Sequence, residues 1–145
     1  MKLPWYMKPG NKVMVALSRL GISFGDNGPV VLTVTGRKSG TPRSTPVTPM
    51  IVDGEQYVAG VPGADWIANV RADGRARLER GRRVEQVRVV ELPDEEAAPL
   101  LRRLPTEVPG WVGFLKKGQL ITDGTPEEFE ALVGTVPIFR FDPIR

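Results

Sequence analysis

Val30-Val31-Leu32-Thr33-Val34-Thr35-Gly36-Arg37-Lys38-Ser39-Gly40-Thr41-Pro42-Arg43-Ser44-Thr45-Pro46-Val47 is the stretch from which the rest of the chain can be read. Its first six residues are a β-branched run of the kind that suits a strand. The glycines at 36 and 40 permit a tight turn, and extended chain resumes from Arg43 to Val52. Pro46 and Pro49 lie inside that extended stretch. Proline has no N–H to give to a ladder, so they place the stretch at an edge, a bulge or a bend. Asp53-Gly54 then predicts a hairpin turn into a further run from Gln56 to Val61.

Outward from this hairpin the pattern changes. Toward the N-terminus, residues 9–20 read as a short helix, with Asn11 placed to cap it and Val13, Leu17 and Leu20 at helical spacing. Toward the C-terminus, residues 64–72 predict a short helix stopped by Asp73-Gly74, and Ala76 to Arg80 pairs with Arg83 to Leu92 about Gly81. Pro93-Asp94-Glu95-Glu96 opens a helix running to about Arg103, and a second surrounds Trp111 to Lys116. Thr125-Pro126-Glu127-Glu128 is a capping-box start, its helix ends near Val133-Gly134, and Val136 to Phe141 makes a closing strand. About six strands with hairpin connections and few helices predict a mainly β, α+β fold, an antiparallel barrel or roll with peripheral helices. The expectation is one domain over residues 1–145, with residues 1–25 as an N-terminal helical segment.

Composition excludes several kinds of chemistry. The chain has no cysteine, so disulfides, thiolate metal sites and thiol nucleophiles are ruled out. It has no histidine either, which removes the commonest metal ligand and the usual general base near neutral pH. An enzyme built from these residues would place its chemistry on a bound cofactor. A net charge of +3, with acidic and basic residues interspersed, lacks the clustered footprint of a nucleic-acid binder. The densest basic run, Arg71, Arg75, Arg77, Arg80, Arg82, Arg83 and Arg88, is interleaved with Glu79, Glu85 and Glu91 and has no aromatic stacking platform. It reads as a solvated hairpin face. No apolar run is long enough for a membrane-spanning helix, and no signal peptide is evident, so a cytoplasmic location is the default. Met7, Val13, Met14, Leu17 and Leu20, beside Lys8 and Lys12, leave core packing and peripheral contact with the inner membrane face both open.

The turn after the first strand carries the sharpest chemical signal. Arg37, Lys38 and Arg43 place three cations within seven residues, and Ser39 and Thr41 add hydroxyls. Guanidinium groups suit bidentate phosphate contacts, and backbone N–H groups in a glycine turn can converge on an anion. It is not a P-loop, because the glycine spacing and the Gly-Lys-Ser/Thr ending are missing. On local composition, an anion cradle and an ordinary solvated turn stand about level.

The longer pattern resembles the deazaflavin-dependent nitroreductase family of actinobacteria. The similarity rests on Gly36 to Val47 after its strand, on Asp65-Trp66-Ile67-Ala68-Asn69-Val70-Arg71-Ala72, on the Arg75 to Leu92 hairpin, and on Pro137-Ile138-Phe139-Arg140-Phe141. It spans roughly residues 10–142. The resemblance implies a split β-barrel related to FMN-binding proteins and the deazaflavin coenzyme F420. It implies that Arg37, Lys38, Ser39, Gly40 and Arg43 hold the phosphodiester and tail. It further implies that Thr45, Pro46 and Val47 line the ribityl and ring region, with Ala59, Gly60, Val61, Trp66 and Asn69 completing the pocket. The implied reaction is hydride transfer to an electrophilic small molecule: a quinone, an activated alkene or a nitro compound.

Two departures qualify the acceptor side. Only Pro62-Gly63-Ala64-Asp65 separates the second extended run from the tryptophan helix, where nitroreducing members resemble one another in a longer loop. The tyrosines those members use in the C-terminal half are absent, and Trp111 and Phe114 stand in the corresponding region as candidate substrate contacts. FMN as cofactor, a non-catalytic carrier of the coenzyme or of a lipid-like ligand, and a monomeric or dimeric state all remain open at this stage.

Overall fold

The computed structural model describes residues 28–144, and the helix expected over residues 9–20 and the segment 1–25 lie outside them. Among the described residues seven strands form one antiparallel sheet: β1 (Val30–Thr35), β2 (Pro42–Val47), β3 (Met50–Val52), β4 (Glu55–Ala59), β5 (Arg75–Arg80), β6 (Arg83–Glu91) and β7 (Ile138–Pro143). Their order across the sheet is β2-β1-β5-β6-β7-β4-β3. Among the described residues four helices accompany them: α1 (Asp65–Ala72), α2 (Asp94–Glu107), α3 (Gly110–Lys117) and α4 (Pro126–Glu130).

The order forces the sheet to curl. β2 and β3 are its two outer strands, yet only Thr48 and Pro49 join them. Laid flat at about 4.8 Å per strand, the outer strands would stand roughly 29 Å apart. Three Cα steps from Val47 to Met50 reach roughly 11 Å at most. The sheet therefore bends until its edges nearly meet, giving a half-barrel with a seam between β2 and β3. Both prolines flagged in the sequence sit at that seam. Pro46, paired with Val31, occupies the edge strand, and Pro49 falls in the break that divides the expected Arg43–Val52 run into β2 and β3. That break accounts for seven strands where about six are expected from pattern alone. At the far end of β3, Asp53 and Gly54 both have positive φ (53° and 81°), the I′ geometry that joins twisted hairpin strands.

Two cores lie on opposite faces of the sheet. Inside the curl, Val30, Leu32, Leu78, Val87, Phe139 and Phe141 pack against Trp66, Ile67 and Val70 of α1. On the outer face of β3, β4 and β7, Met50, Ala59 and Ile138 pack against Ala97, Leu101, Leu104, Leu115 and Phe129 of the later helices. The alternation Val58/Ala59 and Ile138/Phe139 sends successive side chains to different cores.

Helix boundaries differ modestly from expectation. α2 runs through Pro105 to Glu107, because Leu104 is buried against the second core and the Val108 N–H closes onto the Leu104 carbonyl at 2.8 Å. The tertiary contact overrides the local breaker. The closing strand starts at Ile138, not Val136, whose N–H turns back to the Leu132 carbonyl at 2.9 Å. The capping box at Thr125 and Glu128 forms as expected.

Candidate functional site

The Gly36–Arg43 turn is closed by its own backbone. The Gly36 N–H donates to the Thr41 carbonyl at 2.9 Å and the Gly40 N–H to the Gly36 carbonyl at 2.8 Å. Ser39 Oγ and Thr41 Oγ1 lie 2.7 Å apart, and the Thr41 N–H donates to Ser39 Oγ at 3.2 Å. With these bonds made, Arg37, Lys38, Ser39, Gly40 and Arg43 stand exposed on one short segment. At this turn the two serine and threonine hydroxyls shape the loop, while Lys38 and Arg43 project charge.

Arg37 has a second task. Its backbone N–H donates to Asn69 Oδ1 at 3.0 Å, and its Nη1 donates to the same oxygen at 2.8 Å. Nη1 also reaches the Asp65 carbonyl at 3.4 Å, and Nη2 lies 4.0 Å from the exposed Asp65 carboxylate. Asn69 is 4% exposed, so its side chain is an internal clamp between the turn and α1. The other end of α1 is fixed by Arg71. Its Nε and Nη2 each lie 2.8 Å from one carboxylate oxygen of Glu91 at the end of β6. That bidentate bond lowers the Glu91 carboxyl below the usual carboxylate range and raises the Arg71 guanidinium. Both side chains are about half exposed, so the pair contributes at most about 1 kcal/mol. Its geometry still fixes α1 against the sheet.

At the seam, a cleft of about 350 Å³ opens between the end of β2, the end of β4, the start of α1 and helix α3. Thr45, Pro46, Val47 and Thr48 form one wall, Ala59, Val61, Ala64 and Trp66 another, and Val108, Gly110, Trp111 and Phe114 a third. Trp66 is held by Phe139, with ring centroids 5.1 Å apart, and Trp111 meets Phe114 edge-on at 6.0 Å. None of the described residues lining the cleft is ionisable. An apolar slot with a few hydroxyl and indole donors suits a flat ring more than a charged metabolite.

Most of the residues singled out in the sequence converge here. Thr45, Pro46, Val47, Ala59, Val61, Trp66, Trp111 and Phe114 all line the cleft. Arg37, Lys38, Ser39, Gly40 and Arg43 lie at the turn beyond the start of β2, outside the lining. Asn69 faces Arg37 instead of the cleft. Gly60 is absent from the lining, and a Cβ there would lie 2.7 Å from Ile67 Cδ1 and 3.2 Å from Pro137 Cγ. Its N–H bonds to the Pro137 carbonyl at 2.9 Å. Pro29, Thr48, Ala64, Val108 and Gly110 complete the lining and were not anticipated. Thr48 and Ala64 were within reach, flanking residues already singled out. Val108 and Gly110 had no local signal, because only the packing of α2 and α3 brings them to the seam.

A family model described as F420H(2)-dependent quinone reductase matches residues 11–121. The chain belongs to that family. The solved structure of an F420-H2 dependent reductase (FDR-A) is 20% identical, covering 83% of this chain and 99% of its own, with a TM-score of 0.58. A structure described as a domain-swapped dimer is 19% identical over 95% of this chain and 97% of its own, with a TM-score of 0.60. A FAD-binding protein from Mesorhizobium loti is 22% identical over 83% of each chain, with a TM-score of 0.51. At such identities these structures establish the shared split-barrel fold. No curated protein resembles the chain closely enough to count as a match.

The family's cofactor is coenzyme F420, and the protein is an F420H2-dependent oxidoreductase. The residues present fit such a group: an apolar, aromatic-walled slot lies along the same strand as an exposed cationic turn. Val47 lies four residue steps beyond Arg43, about 13 Å at strand rise, so a ring in the slot and an anionic tail at the turn share one wall. Among the described residues no cluster of metal-ligating side chains occurs, and no helix is long and apolar enough to cross a membrane.

Proposed function

We propose that this chain reduces quinones with F420H2, in preference to enones and nitro compounds. The observation that carries the proposal is the make-up of the cleft, whose described lining holds no ionisable side chain. When bound, reduced coenzyme F420 supplies a hydride. A quinone that accepts this hydride becomes a hydroquinone monoanion, its new electron pair stabilised on oxygen by an aromatic ring. It takes its proton from water without a protein acid. A nitro group must lose an oxygen as water, and an enone leaves an enolate, so both gain more from a placed proton donor. The protein's share is positioning and exclusion of water.

In this proposal Lys38 and Arg43 hold the coenzyme's phosphate and acidic tail, with the Ser39 and Gly40 backbone at the turn and Arg37 set beside them by Asn69. Thr45, Pro46 and Val47 pass along the ribityl chain and one edge of the ring. Ala59, Val61 and Trp66 enclose the other side. The acceptor lies against Trp111 and Phe114 on α3. Gly60 and Asn69 act through packing and the turn, without touching the ring.

The test is turnover. Oxidation of F420H2 is followed by absorbance with a quinone, cyclohexenone and a nitroaromatic supplied at equal concentration. The proposal expects the quinone to be the fastest. Equal rates for all three would remove it, and no oxidation with any acceptor would favour a carrier of the coenzyme. Titration with oxidised F420 and FMN side by side decides the cofactor preference, which is expected to favour F420. A dimer is the assembly to look for, since one matched structure is described as a domain-swapped dimer. Light scattering at two protein concentrations separates it from a monomer.

A further inference from the structure

The cleft has a closed end and an open end. Ala59, Ala64 and Trp66 are buried and form its floor. Trp111 and Phe114 are half-buried, and Gly110 is exposed at the rim. Gly110 is the first residue of α3, and its φ does not demand glycine. A Cβ built on it meets none of the described residues within 4 Å. Neither backbone conformation nor packing against the described residues therefore requires a glycine here. Between Val108 and Trp111 the cleft is thus lined at position 110 by backbone alone, with open space where a side chain would start.

We propose that Gly110 is a specificity-determining residue, forming the notch through which the apolar substituent of a quinone leaves the cleft. The inference rests on the quinone reading above and adds to it which part of the acceptor is discriminated and by which residue. The quinone ring lies inward of Gly110, between the coenzyme's ring and Trp111 and Phe114. An alkyl substituent passes over Gly110 and along the half-buried apolar side of α3 made by Trp111 and Phe114. A side chain at position 110 narrows the notch, and its Cβ meets none of the described residues, so it hinders the substituent more than the ring.

Gly113 supplies the control. It is in the same helix, a Cβ on it also meets none of the described residues within 4 Å, and it does not line the cleft. Gly110→Val and Gly113→Val thus place the same side chain on α3, at the cleft and away from it. Two probes share one ring: 2,3-dimethoxy-5-methyl-1,4-benzoquinone and its 6-decyl derivative. Binding is read without coenzyme, by quenching of tryptophan fluorescence, since Trp66 and Trp111 both line the cleft. KM for each quinone with F420H2 is read separately.

The expected result is that Gly110→Val weakens the decyl quinone by about tenfold or more in both Kd and KM, as a pocket with a few extra carbons does. The ring-only quinone should stay within about twofold, and Gly113→Val should move neither probe beyond that margin. Unchanged decyl-quinone binding in Gly110→Val overturns the inference, as does equal weakening of both probes or the same loss in Gly113→Val. If wild-type protein turns over the ring-only quinone while Gly110→Val shows no selectivity, the reaction stands and the notch falls. If neither quinone quenches or turns over in wild type, both fall.

Discussion

One oxygen of Asn69 accepts two hydrogen bonds from Arg37, one from its backbone N–H at 3.0 Å and one from Nη1 at 2.8 Å. The donors sit on the turn after β1, and the acceptor sits on α1, whose Trp66 walls the cleft. This single carboxamide therefore fixes the cationic turn relative to the apolar slot. A coenzyme that spans both needs that spacing held before it arrives, or part of its binding energy goes into ordering the loop.

Replacing Asn69 tests the clamp. Asn69→Leu removes the acceptor and leaves the Arg37 N–H without its buried partner, at a cost of about 1–3 kcal/mol. F420 affinity should fall by about tenfold or more, given that each 1.4 kcal/mol is a factor of ten. Asn69→Asp keeps an acceptor oxygen for the same donors and should recover most of the binding through a charge-assisted bond. Fluorescence titration of F420, with circular dichroism to verify folding, measures both. Full affinity in Asn69→Leu would mean the turn holds its shape unaided.

The exposed cations make a different prediction, because their effect depends on salt. Lys38→Ala and Arg43→Ala should each weaken F420 binding by about 1.5–3 kcal/mol, the range for hydrogen bonds to charged groups. The loss should shrink as ionic strength rises from about 0.01 M to 1 M, where the screening length falls from about 30 Å to 3 Å. Thermal stability should barely move, since both side chains are solvated. Isothermal titration at several salt concentrations reads this directly. A loss independent of salt would point to packing in place of charge.

The sequence carried more of the site than its connectivity suggests, and the reason is local chemistry. The turn at Gly36–Gly40, the edge prolines and the capping box at Thr125 are written in short stretches whose backbone demands are specific. Trp66 and Asn69 share a helix face by spacing alone, but only the fold reveals that Asn69 faces the turn while Trp66 faces the cleft. The curl of the sheet was not legible from periodicity. It follows from β2 and β3 being the two outer strands, and that depends on pairings between residues far apart in the chain. For the same reason Val108 and Gly110 could not be found by inspection. Gly60 shows the converse: it sits where the coenzyme pattern expects a contact, yet its neighbours Ile67 and Pro137 explain the missing Cβ.

Glu128 predicts a stability profile at acid pH. Its carboxylate accepts the backbone N–H groups of Thr122 at 2.7 Å and Asp123 at 2.9 Å, with Gly124 at 2.7 Å and Thr125 at 3.3 Å. These bonds, those from Thr122 and Asp123 foremost, lower its pKa to about 2. The folded state thus holds this proton more weakly than the unfolded chain does. Its stabilising contribution is complete above the ordinary carboxylate value and is lost as pH falls toward 2. Glu128→Gln should lower Tm at neutral pH and converge with wild type near the acid limit. The same loop abuts α3, since a Cβ on Gly124 would lie 2.7 Å from Val112 Cγ1. The variant should therefore also raise KM for the quinone while leaving F420 affinity unchanged. Parallel Tm curves across the whole pH range would contradict the assignment.

Gly60 and Ile67 should behave as a coupled pair. A methyl at position 60 meets Ile67 Cδ1 at 2.7 Å and Cγ1 at 3.1 Å, and Pro137 Cγ at 3.2 Å closes the other side. Ile67 is buried in the inner core, so it has little room to retreat. Gly60→Ala should destabilise the fold by about 1–3 kcal/mol through overpacking. Ile67→Val alone deletes the offending Cδ1 and costs about 0.5–1.5 kcal/mol as a cavity. Combined, the added methyl fills part of the space vacated, so the double variant should be more stable than the sum of the two losses predicts. Urea denaturation of all four proteins closes the cycle. Additive losses would show that β4 and α1 adjust independently, and that the glycine is not needed for their close approach.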